Sequence, residues 1–206
     1  MNREKIDPQN MFKSIIDFPD QIEQAVEIGK NIGLRKTFSK VNKIVLAGMG
    51  GSAVGGDLLS LALRNHVSVP FFVSRNYTLP NWVDENSLVI CSSYSGNTEE
   101  TLSAFNEARS KNAAIIGITT GGILSSWLKE YDCDEITITG GLQPRAAVGF
   151  SMIPMMFLIR KILKIDLDLE SILDETRNEL LEKRKTYSTM DLQNPVYSLA
   201  QKIYKK

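Results

Sequence analysis

The sequence predicts an α/β fold with a parallel sheet covered by helices on both faces. Three observations carry that prediction. Short runs rich in Val, Ile and Leu recur at residues 43–47, 69–73, 88–91, 114–118 and 135–138. Segments of helical length, at 53–64, 99–111 and 123–130, lie between them. Near-continuous apolar strands alternating with helices are the pattern of a parallel sheet buried on both sides. Third, the first and third runs lead directly into loops of glycine and serine, where such sheets collect ligands.

Before the first strand, residues to about Gly33 read as helical. Ile15, Ile16 and Phe18 cluster, Pro19-Asp20 breaks the pattern, and Ile22, Ala25, Val26, Ile28 and Gly29 then mark a stripe. The run from Val69 passes through Arg75-Asn76-Tyr77-Thr78-Leu79-Pro80 with no long helix, so a loop with at most a short turn is expected there. After Gly149 the chain turns helical. Met152, Met155, Met156, Leu158, Ile159 and Ile162 form an apolar surface wider than one stripe, suited to a core or an interface. Asp168 to Tyr187 reads as a charged helix with Leu169, Ile172, Leu173 and Leu180 on its buried side. Asn194 and Pro195 open a final helix as N-cap and first-turn proline. Its apolar side (Val196, Leu199, Ala200, Ile203) has no following partner, which suggests a continuation. Three segments follow: a helical one over 1–42, an α/β domain over 43–150 and a helical extension over 151–206.

Composition narrows the function. The 206 residues are 43% hydrophobic, enough for a sizeable core, and carry 24 basic and 24 acidic side chains. A zero net charge gives no electrostatic case for nucleic acid or a membrane surface, and the basic ends (Lys202, Lys205, Lys206) are too few to change that. No apolar run reaches the roughly 18 residues of a spanning helix. The charged start Met-Asn-Arg-Glu-Lys-Ile-Asp does not read as a signal peptide. Cys91 and Cys133 form no C-x-x-C and His66 is the single histidine, so neither a metal site nor a disulfide framework is expected and a reducing cytoplasm fits best.

Two loops carry the chemistry. Gly48-Met49-Gly50-Gly51-Ser52-Ala53 follows the first strand, and Cys91-Ser92-Ser93-Tyr94-Ser95-Gly96-Asn97-Thr98-Glu99-Glu100-Thr101 follows the third. Hydroxyls and backbone N–H groups at a helix start suit an anion, because the unpaired amides and the helix dipole both favour negative charge. Asn97 with Glu100 has the spacing of a capping box. An ordinary polar helix cap would have similar composition. The glycine loop fits G-x-G-x-x-A with Ala53 last, yet the acidic residue that a dinucleotide site needs about 20 residues on is replaced by Val73-Ser74-Arg75. No P-loop pattern occurs.

Gly48–Ser52 and Ser92–Thr101 together resemble a sugar isomerase (SIS) domain. Pro144-Arg145-Ala146-Ala147-Val148-Gly149 narrows the resemblance to the bifunctional phosphoglucose/phosphomannose isomerases. It covers the chain from about Lys43 to Phe150. The resemblance implies a five-stranded parallel sheet in flavodoxin-like order and an aldose–ketose isomerase without cofactor, acting on glucose 6-phosphate and mannose 6-phosphate. It also implies that Ser52, Ser93, Ser95 and Thr98, with the amides of Gly51 and Gly96, hold the substrate phosphate, while Arg145 stabilises the enediolate. The glutamate base and ring-opening histidine of such enzymes fall beyond this chain, the histidine coming from a partner subunit. The chain is therefore expected to be the N-terminal half of a longer homodimeric enzyme, with the helical extension leading toward a second SIS domain. His66, Glu99 and Glu100 match no catalytic position. The alternative is a non-catalytic phosphosugar sensor, against which residues 1–42 are short and carry no basic recognition helix.

Overall fold

The computed structural model describes residues 3–204; Met1, Asn2, Lys205 and Lys206, including two lysines of the basic ends, lie outside the described residues. Five strands, β1 (Lys43–Gly48), β2 (Phe71–Ser74), β3 (Ser87–Ser93), β4 (Ala114–Thr119) and β5 (Asp134–Thr137), form one sheet in the order β2-β1-β3-β4-β5. All neighbouring pairs are parallel. This is the flavodoxin-like order.

Side chains alternate along each strand, so successive residues face opposite layers. Ile44, Leu46, Leu88, Ile90, Ile116, Ile118, Ile136 and Ile138 point into one buried cluster, and Val45, Ala47, Val89, Cys91 and Ile115 into the other. The first cluster is closed by α3 (Phe18–Lys30), α4 (Gly50–Ala62), α7 (Val148–Leu163) and α8 (Leu169–Tyr187). The second is closed by α5 (Glu99–Ser110) and α6 (Gly122–Glu130), through Ala104, Phe105, Ala108, Leu124 and Leu128. Short helices α1 (Arg3–Ile6) and α2 (Met11–Ile16) precede the main body, and α9 (Pro195–Tyr204) ends the described chain.

Several expectations shift by a few residues for identifiable reasons. β2 begins at Phe71 rather than Val69; Pro70 has no N–H for the ladder, though its carbonyl accepts from Ile44 N–H at 2.9 Å. α4 starts at Gly50, three residues before Ala53, so the second half of the glycine loop is itself the first turn of a helix. Pro19 does not break the N-terminal pattern but opens α3 within its first two positions, where a missing N–H is harmless. Residues 75–86 contain no helix, as the sequence predicts. Ile172, expected on the buried side of α8, is 43% exposed, whereas Leu169 and Leu173 are buried. The methionine-rich surface of α7 is core: Met155 and Met156 are buried and Met152 partly so. Asn194 caps α9 through its Oδ1, which accepts from Val196 N–H at 2.9 Å, and Val196, Leu199 and Ile203 remain exposed. Cys91 and Cys133 are buried free thiols, and burial pushes the Cys91 thiol far up. No helix among the described residues is long and apolar enough to cross a membrane.

A fork of ion pairs joins α7 to α8: Arg160 Nη2 donates to Glu170 Oε1 at 2.8 Å, and Arg160 Nη1 reaches the second carboxylate oxygen. Hydrogen bonding from Arg160 holds Glu170 below its ordinary value of 4.5. A carboxylate lowered in the folded state stabilises the fold above the ordinary value and loses that contribution as pH falls through the lowered one. Glu170→Gln should therefore lower the urea midpoint at neutral pH by the equivalent of about 0.5–1 kcal/mol for this partly exposed pair. The difference from the parent protein should shrink below about pH 4.5, which urea unfolding across that range measures.

Candidate functional site

The site follows from where the winding reverses. β1 and β3 are neighbours, with Gly48 beside Ser92 at their carboxyl ends. From β1 the chain leaves through α4 onto one face, and from β3 through α5 onto the other. Two helices diverging from adjacent strands leave a crevice above the strand ends, and both polar loops line it.

Neither helix is closed by a side-chain cap. α4 starts after Met49, an extended residue whose side chain accepts nothing, and α5 after Thr98, whose hydroxyl is turned elsewhere. In α4 the Ser52 N–H turns back to the Met49 carbonyl at 3.1 Å, while the Gly51 N–H before it has no in-helix acceptor and lies at the positive end of the dipole. Ser52, 6% exposed, lies in that first turn of α4. The capping box expected between Asn97 and Glu100 is absent. Asn97 instead accepts from Ile123 N–H at 3.0 Å, so it caps α6, and Thr98 takes the N-cap position of α5. The serine loop leans on the loop after β4, and that packing decides which helix Asn97 reaches.

Within the serine loop the hydroxyls are organised by the backbone. Ser93, 2% exposed, pairs its Oγ with Thr98 Oγ1 at 2.8 Å, and Gly96 N–H donates to Ser93 Oγ at 3.1 Å. Ser95 is exposed, and its Oγ accepts from Asn97 N–H at 3.2 Å. Gly96 has φ of 71°, and a Cβ there would overlap the carbonyl oxygen of Gly121, so only glycine fits. Glu99 and Glu100 occupy the first turn of α5, where negative charge complements the dipole. Tyr77 donates to Glu99 at 3.3 Å, and the two carboxylates, Glu100 foremost, hold its phenol above the ordinary value. Asp57 of α4 forms an ion pair with Arg75 just after β2.

The third motif comes to the same edge. Pro144–Ala146 form a single 3₁₀ turn leading into α7. That turn rests on the start of α4: a Cβ on Gly51 would stand 2.6 Å from the Pro144 carbonyl oxygen and 3.6 Å from Arg145 Cα. Gly51 is thus the residue that lets Arg145 approach the first loop. Arg145 is exposed and forms no ion pair among the described residues. His66 sits past the end of α4, and no three His, Cys, Asp or Glu side chains cluster to hold a metal among the described residues.

Two residues that build the site escaped the sequence reading. Tyr94, 9% exposed, donates to the Thr139 carbonyl at 3.0 Å and accepts from Leu142 N–H at 3.0 Å, which ties the serine loop to the segment leading to Arg145. An aromatic ring amid serines was the available signal. Gln21 on α3, 5% exposed, donates to the Ala146 carbonyl at 2.8 Å and accepts from Gly149 N–H at 2.8 Å. Its signal was a polar residue four positions before Ala25 on an otherwise apolar stripe. The crowding at Gly96 sets a test: Gly96→Ala should cost about 1–3 kcal/mol of stability from the strained φ alone, read by thermal or urea unfolding.

The comparisons agree with this geometry. A family model described as SIS domain matches residues 37–159. A bifunctional phosphoglucose/phosphomannose isomerase of Caldicellulosiruptor bescii is 46% identical over 177 residues, covering 86% of this chain and 52% of the relative. One from Aquifex aeolicus is 36% identical over 172 residues, covering 83% and 52%. The chain thus spans about half the length of the curated relatives it matches. Among solved structures, the C-terminal domain of glucosamine-fructose-6-phosphate aminotransferase from Francisella tularensis superposes with a TM-score of 0.61 at 20% identity, covering 86% of this chain and 54% of the other. A hypothetical protein from Thermus thermophilus gives 0.65 at 20% identity, covering 93% and 47%. These structures share the fold, and the matched family model covers the sheet together with both polar loops and the arginine turn: the chain belongs to the SIS domain family.

Proposed function

We propose that this chain forms the sugar-phosphate site of an aldose–ketose isomerase that interconverts glucose 6-phosphate and mannose 6-phosphate with fructose 6-phosphate. The observation that carries the reading is the crevice between β1 and β3, where two helix N-termini without side-chain caps meet four hydroxyl residues, with the backbone of the Arg145 turn against Gly51 at its edge. The names of the relatives, bifunctional phosphoglucose/phosphomannose isomerases, support it.

In this reading the phosphate lies in the cup of Ser52, Ser93, Ser95 and Thr98 with the Gly51 N–H beside them, while the Gly96 N–H, expected to join them, is engaged by Ser93 and shapes the loop instead. Hydroxyls rotate to suit an anion, and amides at helix starts bind it without a mobile counter-charge. No lysine or arginine stands in the serine loop, so dipoles do the work there. The sugar then extends toward Arg145. Isomerisation moves a proton between C1 and C2 through a cis-enediolate, whose negative charge a permanently ionised guanidinium stabilises. Arg145 would also orient the substrate through its fixed fork of donors. The base and the group that assists ring opening come from outside residues 1–206. Residues 43–150 then act as the phosphosugar domain, 1–42 and 151–206 as helical segments that brace it. The active assembly is a cytoplasmic homodimer in which a second SIS domain completes the site.

Two measurements test this. Calorimetric titration should show binding of fructose 6-phosphate but not fructose, and Ser95→Ala should weaken it about tenfold by removing a hydroxyl donor to a charged group. Absence of phosphate-dependent binding would overturn the reading. A coupled assay on the 206 residues alone should show no appreciable turnover, since this reading assigns the base to none of them. Robust turnover would place the base among them.

A further inference from the structure

We propose that Gln21 is a positioning residue for Arg145, acting from α3 on the turn that carries the guanidinium. The inference rests on the role given to Arg145 above.

The turn Pro144–Ala146 is one 3₁₀ turn of three residues, too short to hold its own orientation. On one side it meets the backbone of α4 at Gly51, a contact that limits approach but supplies no hydrogen bond. On the other side stands Gln21. Its carboxamide uses both ends, Nε2 to the Ala146 carbonyl and Oε1 from Gly149 N–H, each at 2.8 Å. These bonds grip the residue after Arg145 and the first turn of α7 together. Gly149 is required for the grip, because a Cβ there would stand 2.6 Å from Gln21 Oε1.

Gln21 is buried at 5% exposure, and α3 is itself fixed against α7, where a Cβ on Gly29 would meet the Phe157 ring. The side chain therefore works from a rigid base. A carboxamide is also the group the geometry demands. One end must donate to a carbonyl and the other accept from an amide, which neither a carboxylate nor an apolar chain can do. The charged groups that line the same recess, Lys13, Asp17 and Asp20, are engaged elsewhere: Lys13 pairs with Asp17, and Asp20 with Arg184 at 3.0 Å.

The test is a double-mutant cycle on the chain, read by calorimetric titration with fructose 6-phosphate and, separately, inorganic phosphate. Arg145→Ala should weaken fructose 6-phosphate binding while leaving inorganic phosphate nearly unchanged. Gln21→Met should reproduce that pattern with a loss of about tenfold, as expected when a ligand group is misplaced by a fraction of an ångström to an ångström. In the Arg145→Ala background Gln21→Met should then add nothing, because its effect passes through the arginine. A general structural role would instead weaken both ligands and add to Arg145→Ala.

If Gln21→Met does not fold, Gln21→Glu takes its place. Its neutral carboxyl keeps both hydrogen bonds and its ionised form sets a negative oxygen against the Ala146 carbonyl, so its affinity relative to the parent protein at each pH should recover as pH falls. Additive losses, or a silent Gln21 variant, overturn the positioning role and leave the proposed function standing. A parent chain that does not bind fructose 6-phosphate, or an Arg145→Ala variant that binds it normally, overturns the reading of the site and this inference with it.

Discussion

Everything at the ligand edge depends on the reversal of winding between β1 and β3. Had both following helices packed on the same face, one would have covered the ends of both strands, and the polar loops would have been buried against it. Because α4 and α5 go to opposite faces, the two helix starts are splayed and their first-turn amides look into a common space. The reversal is in turn fixed by the alternation of side chains on the strands. Both faces carry a large apolar cluster, so each needs its own helical cover, and the sheet order that supplies one puts β1 beside β3. The site is a by-product of burying two faces.

Against this apolar frame the polar groups are few and specific. Tyr94, Asn97 and Gln21 each satisfy backbone groups at loop or helix ends, and each joins two segments that the strands do not join. Such contacts add little net stability, since both partners would bond to water when unfolded, but leaving one unmade inside is costly. Their main effect is therefore on geometry. They select one arrangement of the loops among several that the core alone would permit.

The sequence was legible where physics is local. Apolar runs marked all five strands within a few residues, because a buried parallel strand needs nothing beyond its own side chains. Asn194 was legible as an N-cap for the same reason, its acceptor lying two residues away. The start of α4 was misplaced because glycines signal a turn on propensity, whereas here Gly51 and Gly55 are helical and let the Pro144 turn and Ser151 of α7 approach the helix. Asn97 was assigned to the wrong helix because its true partner is 26 residues off. Gln21 could not have been paired from sequence, with its acceptor 125 residues downstream. The site residues named from the SIS resemblance all fall on the carboxyl edge of the sheet, yet that resemblance said nothing of what braces them.

The long reach of Gln21 makes the arginine turn depend on the docking of α3 onto α7. The hydroxyls of the two polar loops lie within residues 52–98, but the serine loop is braced from further along the chain, by Ile123 on Asn97 and by Thr139 and Leu142 on Tyr94. The arginine turn lies after β5, and its bracing side chain precedes β1. As the chain emerges during synthesis, the serine loop gains its last brace only at Leu142, and α3 stays undocked until α7 exists to receive it. The same dependence holds in the finished protein. Because α3 packs tightly on α7 through buried Ile22, Ala25 and Gly29, lifting it would need a large opening of the core, and the grip of Gln21 on the arginine turn is as durable as that packing.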